Sequence, residues 1–564
     1  MKNFSVLIIL SITLLMISNC GHPNRDAWIS SAPSGNSMTA IHRDSTTVIP
    51  NGRLLTPRGN YLQVAPHPYG LALSPDGTIA VTANSGVRPF SVSIIRDILS
   101  PNPIVQQVPP GAQTDEGILA AVFMGLAISP DNKNLYVGGG QEGQVFIFDL
   151  ESGAKKGAIN CNTTWDGIDY KDSYIGDLIL STDGSTLYAV DQTNFRAVLL
   201  DPKNRKLVAS VPVGRYPFGI ALSPDGSRIY VANVGMFEYS LIEGLDKDNP
   251  RNTGLKFPPY AYQSKEMKEG VEIDSFRAPG LGDPNVPESF SVWIVDAKNT
   301  NEPKVTAKIK TGFLVGQMVE DFPAVGGASP NSVVATENRV YVSNGNNDCI
   351  SVIDTELDTV VENIYLKLDP RVAHLRGVIP FGLALSPDNK RLYVAEAGIN
   401  AVAVINLSDN SVLGHIPVGW FPSKLKVSND GKKLIVANAK GFGSGPNGGP
   451  DFELGPRGSY VGNLMNGTVS VFDIPDDDEL KLETEEVIKN NFDFEKISSD
   501  KFDWRKQNPV PLYPGEKESP IKHIVFITKE NRTFDEVFGG RQNVVGEPSL
   551  ARYGAGVSFT NMDK

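Results

Sequence analysis

The chain has little with which to cross-link itself or hold a transition metal: its 564 residues include 3 cysteines and 6 histidines. Cys161 and Cys349 stand far apart in the sequence, which makes no disulfide framework; a single bridge and two buried thiols both stay open. No two histidines share the i, i+2 or i+4 spacing that a zinc-type site would use. There is no Cys-x-x-Cys-His, which argues against a redox propeller with covalently attached haem. An excess of cations is missing as well. Lys+Arg 52 against Asp+Glu 64 gives a net charge of −12, and non-specific nucleic-acid binding rests on neutralising phosphate. Nor does any apolar run reach the roughly twenty residues that span a bilayer.

What is abundant is glycine and proline, 54 and 40 residues, in a chain that is 40% hydrophobic and 21% charged. Such a chain can bury a large core, and its turn-rich composition suits many short strands better than long helices. The composition predicts a soluble, acidic, mostly β protein.

Internal repeats decide the fold before any single residue does. One unit recurs: an apolar alternation, a Ser-Pro-Asp-Gly turn, and a second alternation ending in Asn. Its clearest copies are Gly70-Leu71-Ala72-Leu73-Ser74-Pro75-Asp76-Gly77, Gly219-Ile220-Ala221-Leu222-Ser223-Pro224-Asp225-Gly226 and Gly382-Leu383-Ala384-Leu385-Ser386-Pro387-Asp388-Asn389. Weaker copies centre on Ser129, Ser181, Thr336 and Ser428, so the anchors step by 55, 52, 42, 113, 50 and 42 residues. Pro presets φ in the turn and Gly accepts φ > 0. The returning strands read Tyr230-Val231-Ala232-Asn233 or Tyr341-Val342-Ser343-Asn344, and third and outer strands follow. Four antiparallel strands per repeat predict a seven-bladed β-propeller. Asn60 to Pro66 precedes the first inner strand and is expected to complete the seventh blade beside Val469 to Asp473, leaving no free sheet edge.

These returns and turns resemble the YVTN-type seven-bladed propeller repeats of bacterial secreted and surface proteins, over about Ile49 to Asp473. The resemblance implies a fold and names no activity, because one fold hosts many.

Upstream, Lys2 precedes an apolar stretch from Phe4 to Ile17 that fits a secretory h-region. Ile17-Ser18-Asn19-Cys20-Gly21 then resembles the bacterial lipoprotein box, with Asn19 where Gly or Ala is usual. The resemblance implies a signal peptide over 1–19 and lipid attachment at Cys20, a residue whose acyl chains would hold the protein to the cell envelope, periplasmic or at the cell surface. An ordinary signal peptide with an incidental Cys is the alternative. Residues 20–46, rich in Ser, Asn, Pro and Asp, are expected to form a flexible tether.

Three segments break the repeat. Residues 237–289 interrupt the fourth blade with a long insertion bearing Phe257-Pro258-Pro259-Tyr260-Ala261-Tyr262; its aromatics could cap the axial funnel or meet a partner, and packing on the blade rim is the plainer expectation. Gly441 to Pro450 lacks the Lys-Ser/Thr that would finish a phosphate loop and is expected to be a flexible turn inside blade seven. Residues 476–518, opening Asp476-Asp477-Asp478-Glu479, are expected to be a solvated linker with room for one short helix.

The last stretch carries possible chemistry. Ile524 to Ile527 reads as a buried strand of an α/β sheet, and Glu530 and Asn531 after it offer hard oxygen ligands for a divalent metal. The run Ile524-Val525-Phe526-Ile527-Thr528-Lys529-Glu530-Asn531-Arg532-Thr533-Phe534-Asp535 resembles the opening of the phosphoesterase family, the phospholipase C and acid phosphatase branch of the alkaline phosphatase superfamily. That resemblance implies Glu530 and Asn531 as metal ligands, with the nucleophile and remaining ligands further along. Residues 519–564 are therefore expected to be a truncated, inactive fragment, with no cofactor certain and a divalent metal only in a complete site. The leading expectation is an envelope-tethered propeller binding an unidentified protein or polysaccharide on its face. The alternative is the N-terminal part of a metal-dependent phosphoesterase.

Overall fold

The computed structural model describes residues 28–239, 244–246, 248–253, 264–273, 276–319, 322–445, 460–496, 509–510, 520–526, 534–541 and 548–550. The chain divides into two compact units, Ser30–Asp493 and a second formed by Met1–Ile29 with Phe494–Lys564.

The larger unit holds seven four-stranded antiparallel sheets. Their inner strands are Pro68–Leu73, Leu126–Ile128, Ile175–Leu180, Pro217–Leu222, Pro330–Ala335, Pro380–Leu385 and Trp420–Val427. Each inner strand touches the next and the seventh touches the first, so the sheets close into a ring around an axis. The molecule is a seven-bladed β-propeller. Asn60–Pro66 is the fourth strand of the seventh sheet and pairs with Asn466–Asp473, setting Leu62 opposite Val469 and Tyr61 opposite Ser470. The first and last strands of the ring thus share one sheet, which closes the ring and leaves only the short outer edge that each blade has.

The repeat sequence explains the turns at one end of the ring. In six blades the serine hydroxyl donates to the aspartate two residues on and accepts the backbone N–H that starts the second strand. In blade 1, Ser74 Oγ donates to Asp76 Oδ1 at 2.5 Å and accepts from Ile79 N at 2.9 Å. Ser129, Ser181, Ser223, Ser386 and Ser428 repeat the arrangement. The donated hydroxyl and backbone bonds hold these carboxylates below their usual range, Asp183 and Asp225 at about 2. Blade 5 departs from the pattern: its turn is shorter, and the Thr336 hydroxyl bonds both N–H and C=O of Arg339.

The asparagine that closes the return strand in four blades is structural. Asn84, Asn344 and Asn438 are fully buried and donate to serines of the third strand, such as Ser93 at 3.0 Å, Ser351 at 2.9 Å and Ser470 at 2.9 Å. One blade replaces it with a buried ion pair and another with a buried carboxylate–imidazole hydrogen bond. Asp191 takes Arg196 Nε at 2.8 Å, and Glu396 meets His415 Nδ1 at 2.7 Å. Cys161 and Cys349 are buried free thiols, each pushed up to about 12 by burial.

Part of the expected solvated linker is instead a docked helix. Asp477–Asn491 begins at Asp476, whose carboxylate caps the N–H groups of Asp478 and Glu479. Acidic residues fill its first turn, where the helix dipole favours them. It buries Leu480 and Val487, and Leu480 joins the core between blades 6 and 7. Thr484 Oγ1 accepts the His415 N–H at 2.8 Å, and Arg58 binds Glu479 and Glu483. Few apolar residues at helical spacing, masked by many acids, hid this face from the sequence.

In the smaller unit, residues 521–526 form no strand or helix, and Ile524, Val525 and Phe526 are 84%, 83% and 87% exposed. This corrects the expectation of a buried strand there: a lone apolar run becomes a buried strand only when neighbouring strands cover it. A short helix, Phe534–Phe538, follows. Cys20, Glu530 and Asn531 lie outside the described residues, as do Phe257 to Tyr262.

Candidate functional site

In each blade the inner strand starts at one end of the ring and the second strand returns to it. The connections between second and third strands, and those between blades, therefore gather at that end. They include 109–125, 161–174, 234–290, 311–329, 366–379 and 442–465. The long insertion and the glycine-rich segment are both in this set. The other end carries the short serine–aspartate turns.

Aromatic side chains from six blade positions meet at the long-connection end. Tyr174 lies 5.4 Å from Phe123, Phe123 lies 5.7 Å from Phe218, and Phe218 lies 6.1 Å from Phe381. Phe381 then contacts Phe421 at 6.2 Å and Tyr69 at 6.4 Å. Blades 2, 4, 6 and 1 are not all neighbours, so rings that link them must cross the axis. The cluster spans that mouth of the channel, with mostly edge-to-face geometry, which aromatic quadrupoles prefer. Lys440 stands 4.9 Å from the Trp420 ring and 5.2 Å from Phe421, and burial pushes its ammonium below the usual lysine range. His67, also pushed down by burial, donates from Nε2 to the Gly462 carbonyl at 3.1 Å, pinning the end of the connection 442–465.

Below the aromatic cluster lies an axial cavity of about 310 Å³. Its wall is aliphatic, from Leu71, Leu126, Leu178, Ile220, Val333 and Leu383 among others, and its charges are Asp177, Lys424 and Lys426. The inner strands crowd together at one level. A Cβ on Gly70 would come within 2.1 Å of the Met124 carbonyl, and one on Gly382 within 2.5 Å of the Ser423 carbonyl. Blades 3 and 7 carry Asp177 and Lys424 at this level. Lys424 Nζ reaches Asp177 Oδ2 at 3.3 Å from blade 7 to blade 3. Sequence reasoning passed over these residues. The signal was present in the weaker repeat copies, where Gly-x-Ala becomes Lys424-Leu425-Lys426.

The described residues hold no group of three or more His, Cys, Asp or Glu side chains that could bind a metal ion. The structure does not place the sequence-predicted ligands Glu530 and Asn531 or the lipid-attachment candidate Cys20, which lie outside the described residues.

No family model and no curated protein matches the chain. Among solved structures, hydrazine synthase of Kuenenia stuttgartiensis is similar at 17% identity and a TM-score of 0.42, over 68% of this chain and 96% of its own. U3-55K is similar at 12% identity and a TM-score of 0.45, over 73% of this chain and 97% of its own.

Proposed function

We propose that the protein is an envelope-tethered propeller scaffold that offers its long-connection face to a protein partner. One observation carries this reading: the unequal distribution of exposed apolar side chains. Among the described residues, Tyr239, Leu314, Met318, Val325, Tyr460 and Val461 are exposed large hydrophobics on the long connections. Leu99 and Leu357 are their counterparts on the short turns. Apolar surface gathered on one face marks an interaction site more than it serves a fold, and its aliphatic share favours a protein over a polysaccharide. Lipid on Cys20 would supply the tether. Glu530 and Asn531 would contribute two oxygen ligands for a divalent metal in a phosphoesterase-like segment.

Photo-crosslinking in the native host tests the face. A photoreactive residue at Tyr460 should give a discrete protein adduct and one at Leu357 none; adducts from Leu357 alone, or a polysaccharide adduct at Tyr460, would refute the protein-docking reading. Cys20→Ala should release the protein from the membrane fraction, and retention there would remove the tether.

A further inference from the structure

Blade 7 sets two ammonium groups in the axial cavity, and one carboxylate serves them. Lys424 pairs with Asp177. Lys426, two residues along the same strand, has no ion pair or hydrogen bond among the described residues. The other blades carry Ala72, Ala127, Ile179, Ala221, Val334 and Ala384 at this position, so the fold does not require a lysine there. Lys426 is exposed to the channel, so its ammonium, which has no protein partner, is answered there by water or by an anion that displaces it.

We propose that the axial cavity binds a small monocarboxylate with a compact apolar body, with Lys426 as its counter-charge and the aliphatic wall holding the rest. The size of the ligand follows from the cavity: about 310 Å³ is at the small end of ligand pockets and excludes a polymer. Its charge follows from the count of groups. Two ammoniums and one carboxylate leave a single positive charge, and Asp177 disfavours a dianion such as inorganic phosphate. Its route follows from the aromatic cluster, which spans one mouth and leaves entry to the short-turn end. This goes beyond the docking face, which lies at the opposite end of the ring, and the two stand or fall separately.

Calorimetric titration of the full chain with octanoate, octanol and inorganic phosphate tests the proposal. Octanoate should bind one to one and raise the melting temperature, with octanol and phosphate each at least about tenfold weaker. Lys426→Ala installs the residue other blades carry, so it should melt no lower than the parent while losing about tenfold or more in octanoate affinity. Lys426→Met, which keeps the stem, should lose as much, and Lys426→Arg should keep most of the affinity. Absent octanoate binding, equal binding by both Lys426→Ala and Lys426→Met, or phosphate binding as tightly as octanoate would overturn the proposal.

Discussion

The two ends of the ring are built on different principles. At one end, six turns repeat the same serine, aspartate and backbone bonds, from Ser74 with Asp76 to Ser428 with Asp430. At the other, the connections 109–125, 234–290, 311–329 and 442–465 share neither length nor sequence. The regular end answers only to the geometry of a strand reversal, so similar residues solve it again and again. The irregular end carries the aromatic cluster, Lys440 and the exposed apolar side chains. A scaffold held from one side can vary freely on the other, and surface loops placed by a rigid frame are where binding usually sits.

The largest expected effect comes from breaking the ring that both ends share. Deleting residues 60–66 removes buried Val64 and Ala65 and half-buried Leu62 from the seventh sheet and exposes the edge of Asn466–Asp473. Stability should fall by about 4 kcal/mol or more, from the lost apolar burial alone. Chemical denaturation measures this, and a variant unfolding at the parent's midpoint would exclude the clasp.

A smaller loss should follow at the irregular end. Arg196 is fully buried. It binds Asp191 at 2.8 Å and the Cys161 carbonyl at 2.7 Å, and Tyr170 lies 3.7 Å from its guanidinium. It thereby fastens the connection 161–174 to blade 3. Asp191→Ala leaves that cation buried without a carboxylate and should cost about 3–5 kcal/mol. A loss below about 1 kcal/mol, typical of a surface pair, would show that the connection is held otherwise.

The smallest effect belongs to a single regular turn. Ser223→Ala removes the donor to Asp225 and the acceptor of the Arg228 N–H, a loss of about 1 kcal/mol, typical for one hydrogen-bonding side chain. The Asp225 carboxyl should rise from about 2 toward its unperturbed value, as followed by NMR titration. The sign is that of a depressed acid: the turn's contribution is complete above the unfolded pKa near about 4 and fades as pH falls toward about 2. A Ser223→Ala variant in which Asp225 titrates as in the parent would show that backbone donors alone set its value.

The sequence made the regular end readable. Leu71-Ala72-Leu73 with Pro75-Asp76-Gly77 states strand and turn in seven residues, and seven copies state the ring. The clasp was legible from the place of Asn60 to Pro66 in the repeat order. The docked helix was not, because Leu480 and Val487 lie among acids whose capping and pairing appear only in three dimensions. Nor was the cavity: Asp177 and Lys424 are far apart in sequence and meet only because blades 3 and 7 face one axis. A repeat reveals its rule readily, and departures from it become visible once the copies are aligned on the structure.

Hydrogen–deuterium exchange of the protein in native membranes, against the purified full chain, tests the division between the two ends most directly. The account predicts slower exchange in membranes across the described parts of 311–329, 366–379 and 460–465, with the turns 74–78, 223–227 and 386–390 unchanged. Protection falling equally on both ends, or on the short turns alone, would contradict it.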